Sequence, residues 1–529
     1  MVTNVNTPAV LSNAHAMVAH PRSAPSDSDR NEFAVFFMKN KYHAYRSYSM
    51  MPIPTHITCL LLGVLPMLCA GQQQAHTWYF GNDGAGLHFE DDCSVTVLAD
   101  GPINSYEGCA TVSDASTGEY LFCTNSAHVW DRNGQLMTTS PLVMNGNTIT
   151  QVTIVQRPGS DPIYYIFTSE VQAFSGQGYR FHAVDMSLNS GAGGIAFTDS
   201  MLYSSPVTEK ITAIRHANGT DVWVVGHAYG SNAYLAFLVT AAGVSTTPVV
   251  SNIGKVHSDL GSSGYDAVGE LKSSPDGSKV VAVTLYNPDI ELFSFNNATG
   301  SLSDLITLPE NGAYDGIGNA SGLYGASFSA SGNMLYVGQW FSASANNARL
   351  LQYDLSSNDP SEIIASRSEF PTAGNPYSLK LAPDERIYVA HAAMSTHLGV
   401  IQYPDSAGQA CQYADDGLYL QGGHSSWGLN NMMEQIGTCG MHTSLAGSSY
   451  DSPVVSIHPN PFAEQVSITL NTDGAAELTL FELSGRRLLT TRFQKTLSLD
   501  MGTLAQGVYL YRIVLTDGRA VQGKVQKVH

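Results

Sequence analysis

One recurring plan constrains the fold more than anything else in the chain: strand, Gly-marked turn, β-branched strand, turn, strand, strand. It is clearest in "LKSSPDGSKVVAVTLYNPDIELFSFNNATGSL", Leu271 to Leu302, where Pro275-Asp276-Gly277 and Asn287-Pro288-Asp289 separate alternating or β-branched runs and Asn297 to Gly300 turn the chain into a last strand. The same plan returns as "SFSASGNMLYVGQW…ARLLQYDL" from Ser327 and "KLAPDERIYVAHA…LGVIQYP" from Lys380. Weaker copies start at Cys109, Thr153 and Ala213. No long stretch between residues 77 and 430 carries the apolar period of a helix.

First strands are thus expected near Thr111, Thr153, Ala213, Leu271, Ser327 and Lys380, about 40 to 60 residues apart. A four-stranded sheet of this size cannot bury both its faces alone. Stacked radially, such sheets cover one another and form a propeller. Strand-like material remains at both ends, in "TWYFGNDGAGLHFEDDCSVTVL" and "CQYADDGLYLQ". Paired, residues near Trp78 and near Tyr419 would make a seventh blade and fasten the ring, giving an all-β chain with a seven-bladed β-propeller over residues 77–448. A double sandwich of the same strand count is the competing fold.

Charge narrows the partners. Residues 51–450 hold 12 Lys and Arg against 34 Asp and Glu, or −22, while the whole chain is −19, so the two ends are together +3. Such a surface repels phosphate backbones and anionic lipid, which argues against nucleic acid as a partner. The apolar run Ile57 to Gly71, "ITCLLLGVLPMLCAG", is too short and too Pro-interrupted to span a bilayer and fits a secretory signal peptide over 50–71, leaving no transmembrane segment in the mature chain. Residues 1–49 then read as an over-long start or a disordered leader.

Export leaves Cys93, Cys109, Cys123, Cys411 and Cys439 where disulfides persist. "CATVSDASTGEYLFC" reads as a hairpin that sets Cys109 opposite Cys123, with Cys411–Cys439 as a second bridge. The alternative is that these are small buried side chains without any bridge.

Two resemblances add to this reading. "WYFGNDGAGLHFE", "EGCATVSDASTGEYLF", "PVTEKITAIRHANGTDVWVVGH", "SPDGSKVVA", "LQYDL" and "LAPDERIYVAH" together resemble the exported propeller-like proteins of gliding-type Gram-negative bacteria that use type IX secretion. That family's tail often carries "GLPNF", where this chain has "GLNNM" at Gly428 to Met432. Residues 453–529, from "SIHPNPFAEQVSITL" to "GVYLYRIVLTDGRAVQGKVQK", resemble the type A C-terminal sorting domain of that system, a small β-sandwich. The resemblance implies that Pro459, Asn460, Pro461, Gly485, Gly507, Tyr509 and Lys527 belong to the sorting motif. It further implies that the secretion machinery is a partner and that the protein is secreted or held on the outer-membrane surface.

Catalytic arrangements are not evident. His216, His227, His391, His397 and His424 lack metal-ligand spacing, and no nucleophile elbow or paired-cysteine knuckle occurs, so no catalytic, metal or cofactor residue is assigned. "GNDGAG", Gly81 to Gly86, opens no helix and reads as a turn. Two functions remain open. One is a binding or structural module whose loops Gly261 to Glu270 and Glu310 to Gly325, rich in Gly, Asn and Tyr, meet glycan or protein. The other is a lactonase-like or glycosidase-like hydrolase at the channel mouth, where Asp221, Asp266 and Asp315 lie near strand ends.

Overall fold

A computed structural model describes residues 73–142, 151–159, 162–171, 176–258, 265–285, 287–309, 321–341, 348–391, 394–434, 439, 455–458, 462–470, 475–482, 487–515 and 520–528. The leader, the signal peptide, Asp315, Pro459, Asn460, Pro461, Gly485, and the first parts of the loops from Gly261 and Glu310 lie outside the described residues.

Among the described residues, seven antiparallel sheets succeed one another between Thr77 and Tyr419. The first is β1 (Thr77–Tyr79), β2 (Gly86–Phe89) and β3 (Val95–Leu98); the second is β4 (Ala110–Ser113), β5 (Tyr120–Thr124) and β6 (Val129–Asp131). The third holds β7 (Val152–Gln156), β8 (Ile163–Thr168), β9 (Tyr179–Asp185) and β10 (Gly194–Tyr203). The fourth holds β11 (Val207–Arg215), β12 (Val222–Ala228), β13 (Ala233–Thr240), β14 (Gly243–Val244) and β15 (Val249–Asn252). The fifth is β16 (Leu271–Ser273), β17 (Lys279–Thr284), β18 (Asn287–Asn296) and β19 (Ser301–Pro309). The sixth is β20 (Ser321–Phe328), β21 (Met334–Phe341), β22 (Arg349–Asp354) and β23 (Ser368–Pro371), and the seventh β24 (Pro376–Leu381), β25 (Ile387–His391), β26 (His397–Ile401) and β27 (Tyr413–Tyr419). The six first strands expected from sequence fall on β4, β7, β11, β16, β20 and β24.

The cores lie between sheets. Ile154 and Ile166 pack with Val112 and Phe122 across the second and third sheets, and Val280 and Phe293 with Trp223 and Tyr234 across the fourth and fifth. The ring also meets itself: Trp78, Leu87 and Phe89 of the first sheet share one cluster with Tyr388, Leu398 and Val400 of the seventh. First strands, covered on both faces, are accordingly buried along their length, as in β4, β16 and β24. This is a propeller-type arrangement.

The expected pairing of the Trp78 and Tyr419 regions is corrected. Tyr419 pairs with His397, so β27 is the outer strand of the seventh sheet rather than part of the first. A neighbour reached through eleven residues wins over one more than three hundred residues away, because the shorter loop costs less entropy to close. Closure falls to the next stretch, where Asn82 bridges to His424.

The disulfide pairing is corrected as well. Cys93, on the turn between β2 and β3, is bonded to Cys439, while Cys109, Cys123 and Cys411 are free and buried. The β4–β5 register sets Cys123 opposite Thr111, two positions past Cys109, so the two thiols do not face each other directly. Both sit in the apolar cluster shared by first and seventh sheets, where burial pushes the Cys123 thiol up to about 12. Cys411 is enclosed in a different cluster, with Tyr336 and Ile401. Cys439 instead lies against the seventh sheet, its N–H donating to Pro383 O, so the bond ties the first sheet to the last.

The C-terminal stretch forms two further sheets. One is β28 (Val455–His458), β29 (Gln465–Leu470) and β32 (Thr496–Asp500); the other orders β31 (Arg487–Gln494), β30 (Ala475–Glu482), β33 (Gly507–Leu515) and β34 (Ala520–Lys527). Alternate residues of β29 turn inward, Ile468 and Leu470 to meet Leu478, Phe493 and Ile513, and Val466 to meet Leu480 and Tyr509, as a sandwich requires.

Candidate functional site

The axis of the ring is occupied by the chain itself. Gly428 to Glu434, "GLNNMME", is buried at every residue. Thr111 N donates to Asn430 Oδ1 (2.8 Å) and Asn431 N to Cys109 O (3.0 Å); Asn431 Nδ2 donates to Ile211 O (3.3 Å). Lys272 Nζ reaches Asn431 Oδ1 (3.4 Å), and Lys380 Nζ reaches Met432 O (2.6 Å) and Glu434 Oε1 (2.8 Å). First strands of four sheets thus bond one segment. Gly428 is required by the approach: a Cβ there would lie 1.4 Å from Glu107 O.

The segment is met by ionisable groups rare in an interior. Lys210, Lys272 and Lys380 are buried on β11, β16 and β24, with Glu107, Glu209, Glu270 and Glu434 around them. Burial pushes Lys210 and Lys380 down to about 8. Glu270 accepts from Ser378 Oγ (2.5 Å) and Ala326 N (3.2 Å) and lies 3.5 Å from Lys272 Nζ; burial still raises its carboxyl above the usual range. Glu107 is pushed up to about 8 by burial, its Oε1 accepting from Tyr324 OH and from Gln151 Nε2 (3.2 Å). At neutral pH it is therefore a protonated acid.

Where the segment enters, aromatic rings gather. Trp427 stacks on Tyr377 at 4.0 Å and 20°, Tyr324 stands edge-on to both, and Tyr106 tilts over Trp427 at 5.0 Å. Backbone bonds fix the group, Trp427 N donating to Tyr106 O (2.9 Å) and Ser378 N to Trp427 O (3.0 Å). Tyr324 is fully buried, Trp427 half-buried and Tyr106 47% exposed, so the group runs from core to solvent. Rings offering one polar edge and a broad apolar face suit a ligand of mixed polarity.

Of the carboxylates singled out in sequence, the two that are described, Asp221 and Asp266, are held in different turns. Asp221 accepts from Asn218 Nδ2 (2.8 Å) in the β11–β12 turn, whereas Asp266 accepts from Tyr229 OH (3.0 Å) ahead of β16. The histidines are likewise dispersed. His216 Nδ1 accepts from Asn218 N, His424 Nδ1 pairs with Asp83 at 2.8 Å, His397 lies against Tyr419, and His391 is buried 3.7 Å from Asp415. Of these five, among the described residues, His227 has a histidine neighbour, His257, with ring centres 4.5 Å apart, and burial lowers His227 to about 3. Among the described residues no three potential ligands gather for a metal ion. Gly81 to Ala85 lie in the β1–β2 turn, and Gly86 opens β2. Sequence reasoning missed the axial lysines and glutamates, although "TEKIT", "LKSS" and "SLKLA" each set a lysine inside an otherwise apolar or small-residue first strand.

In the C-terminal sandwich, Gly507, Tyr509 and Lys527 converge on one segment. Tyr509 OH donates to Ala505 O (2.6 Å), and Lys527 Nζ donates to Met501 O (2.8 Å), Gly502 O (2.7 Å) and Leu504 O (2.8 Å). Gly507 starts β33 directly opposite Lys527, at φ 153°. Residues 456–527 match the family described as secretion system C-terminal sorting domain. They are a type IX secretion sorting domain. The sorting domain marks the chain for export, to the cell surface or beyond it, and makes the secretion machinery its partner. No described helix is long and apolar enough to cross a membrane.

Solved structures similar to this chain include a Lactobacillus plantarum protein (13% identity, TM-score 0.41, covering 68% of this chain and 99% of its own). The Dos1 propeller is another (12%, 0.36, 58% and 70%), as is the periplasmic gluconolactonase of Pseudomonas aeruginosa (14%, 0.31, 74% and 94%). No curated protein matches the chain.

Proposed function

We propose that the exported propeller is a binding protein whose ligand is a surface or extracellular glycan, held at the aromatic mouth formed by Tyr106, Trp427 and Tyr377. The observation that carries this reading is the filled axis beneath the mouth. Gly428 to Glu434 occupy the space into which a substrate would have to descend, and a half-exposed aromatic platform is left above. Sugar rings stack their C–H faces on such platforms. The seven sheets act as one closed ring, residues 77–448, with the sorting domain as a separate export module.

A second reading, a lactonase-like or glycosidase-like hydrolase, is favoured by one feature: Glu107 holds a proton near neutral pH directly under the mouth. A glycan array probed with the full mature chain separates the two. Retention of intact glycan that is lost in Tyr106→Ala, whose ring is exposed enough to be removed without disturbing the core, is expected of the binding protein. Release of shortened glycans into solution, abolished in Glu107→Gln, would instead establish the hydrolase. Binding that survives Tyr106→Ala unchanged would remove the mouth from consideration.

A further inference from the structure

One contact at the axis brings together groups that can react as well as bond. Lys272 Nζ, on β16, lies 3.4 Å from the side-chain oxygen of Asn431 in the axial segment, 3.5 Å from Glu270 Oε1 and 4.0 Å from Glu434 Oε1. Lys272 is 1% exposed, and Asn431 and Glu270 are 4% each. An amine, a carboxamide and a carboxyl group are therefore enclosed together where water is excluded and hydrolysis does not compete.

The carboxamide is held still. Asn431 N donates to Cys109 O (3.0 Å), Asn431 Nδ2 donates to Ile211 O (3.3 Å), and Lys380 Nζ pins the next residue through Met432 O (2.6 Å). A short movement of the flexible lysine stem brings Nζ to the amide carbon at the about 3–3.5 Å separation from which addition starts. Glu270 is fixed by Ser378 Oγ (2.5 Å) and Ala326 N (3.2 Å), and burial raises its carboxyl above the usual range, so that it can return a proton as well as take one. Elsewhere at the axis the same ingredients are apart. Lys380 meets a carboxylate at Glu434 (2.8 Å), and Asn430 Oδ1 accepts from Thr111 N.

We propose that Lys272 and Asn431 are a self-modification site, at which the two side chains join in an isopeptide bond that ties the axial segment covalently to the fifth sheet. Nζ loses one proton to Glu270 and adds its lone pair to Asn431 Cγ. A second Nζ proton passes through the same carboxyl group to Nδ2 as the Cγ–Nδ2 bond breaks, and that nitrogen leaves as ammonia, taking up the first proton as ammonium. Both nitrogens sit on one carbon at that stage, so a carboxyl group that reaches one is within reach of the other. No oxidant and no further reactant enter the step. The linked positions are 159 residues apart. The bond gives the ring a second covalent closure beside Cys93–Cys439, one that reducing agents do not open. It is independent of what the aromatic mouth binds.

Peptide mapping of the full mature chain, reduced and denatured, reads the bond directly. The expected result is a branched peptide joining Lys272 to Asn431, lighter than the sum of its two arms by one ammonia, with no tryptic cut after Lys272. Mapping decides where intact mass does not, because a cyclised N-terminal glutamine or a cyclised asparagine loses the same mass. Glu270→Gln keeps the size of the side chain and an acceptor for Ser378; the fraction of branched peptide, followed over time after refolding, should grow at least ~100-fold more slowly in it. Lys272→Arg should form no bond at all. The proposal is overturned if the folded parent yields Lys272 and Asn431 only in separate linear peptides, or if Glu270→Gln links as fast as the parent. The parent map decides the first point whether or not either variant folds.

Discussion

The ring and the sorting domain bury apolar residues in opposite ways. In the sorting domain each strand has one inner face, so burial alternates along β29, and Phe493, Leu478 and Ile513 form a core from residues within about fifty positions of one another. In the ring the first strands are buried throughout, and the contacts that close it join positions more than three hundred apart: Asn82 to His424, Thr111 to Asn430, Cys93 to Cys439. The charge differs too, −22 over 51–450 against +1 over 451–529, from 8 basic and 7 acidic residues. A module with local contacts folds and fails alone, whereas a ring held end to end fails as a whole.

The largest expected effect follows directly. Deleting Thr77 to Leu98 removes the first sheet, six of the sixteen buried residues in the cluster around Trp78 and one end of the disulfide, and should abolish the cooperative melting transition of the ring. Deleting 453–529 should leave that transition where it was and strand the ring in the periplasm. A ring that melts like the parent without its first sheet would erase the contrast between the two regions.

What was legible in the sequence follows the same divide. Six first strands could be placed because Pro275-Asp276-Gly277 and its counterparts recur at a fixed point in each repeat, and turn chemistry is local. The sorting domain was legible from its alternation and motif. Closure was not, since whether Tyr419 or His424 meets the first sheet depends on a competition between nearby and distant partners that no window of sequence contains. The cysteines failed for a related reason: hairpin spacing brought Cys109 near Cys123, but only the register decides which residues face each other. The axial segment was hidden because "GLNNMME" has neither strand nor helix period; it is held by side chains of other sheets.

Those side chains supply the next effect in size. Lys380→Met leaves Glu434 buried without its 2.8 Å partner and should destabilise the ring by about 3–5 kcal/mol in denaturant unfolding. The paired change Lys380→Met with Glu434→Met should recover most of this, because an apolar pair of similar size needs no compensation. If the double variant is as unstable as the single one, the bonds of Lys380 to the axial backbone, rather than its ion pair, hold the segment.

Glu107 gives a pH-dependent effect confined to the ring. Its carboxyl titrates near 8 when folded and near 4.5 when unfolded, so the folded state holds an extra proton between these values. The stability it contributes is fully present below about pH 4.5 and is lost as the pH rises toward 8. Glu107→Gln keeps the shape and an acceptor for Tyr324 but cannot ionise, so its melting temperature should fall less than the parent's between pH 5 and pH 8. The sorting domain, which does not contain Glu107, should show the same melting in both proteins. Parallel curves for parent and variant would place the proton elsewhere.

The smallest effect belongs to the sorting domain and measures how separate it is. Lys527 spends its three donors on Met501, Gly502 and Leu504, pinning the segment that leads into β33, while Tyr509 holds Ala505. Lys527→Met removes the donors but keeps the chain length. The carbonyl of Gly502 is exposed enough for water to replace the ammonium, whereas those of Met501 and Leu504 are less accessible, so the loss should be about 1–3 kcal/mol. Calorimetry should show the sorting-domain transition moving down and the ring transition standing still, with Lys527→Arg recovering part of the shift because its guanidinium still donates. Because the pinned segment leads directly into Gly507 and Tyr509, which the sequence resemblance assigns to the sorting motif, export of Lys527→Met should fall in step with the population of folded sorting domain as temperature is raised. Export that stays at the parental level while the domain is half unfolded would mean that the machinery reads an extended stretch of sequence, and that the fold of this region matters only after delivery.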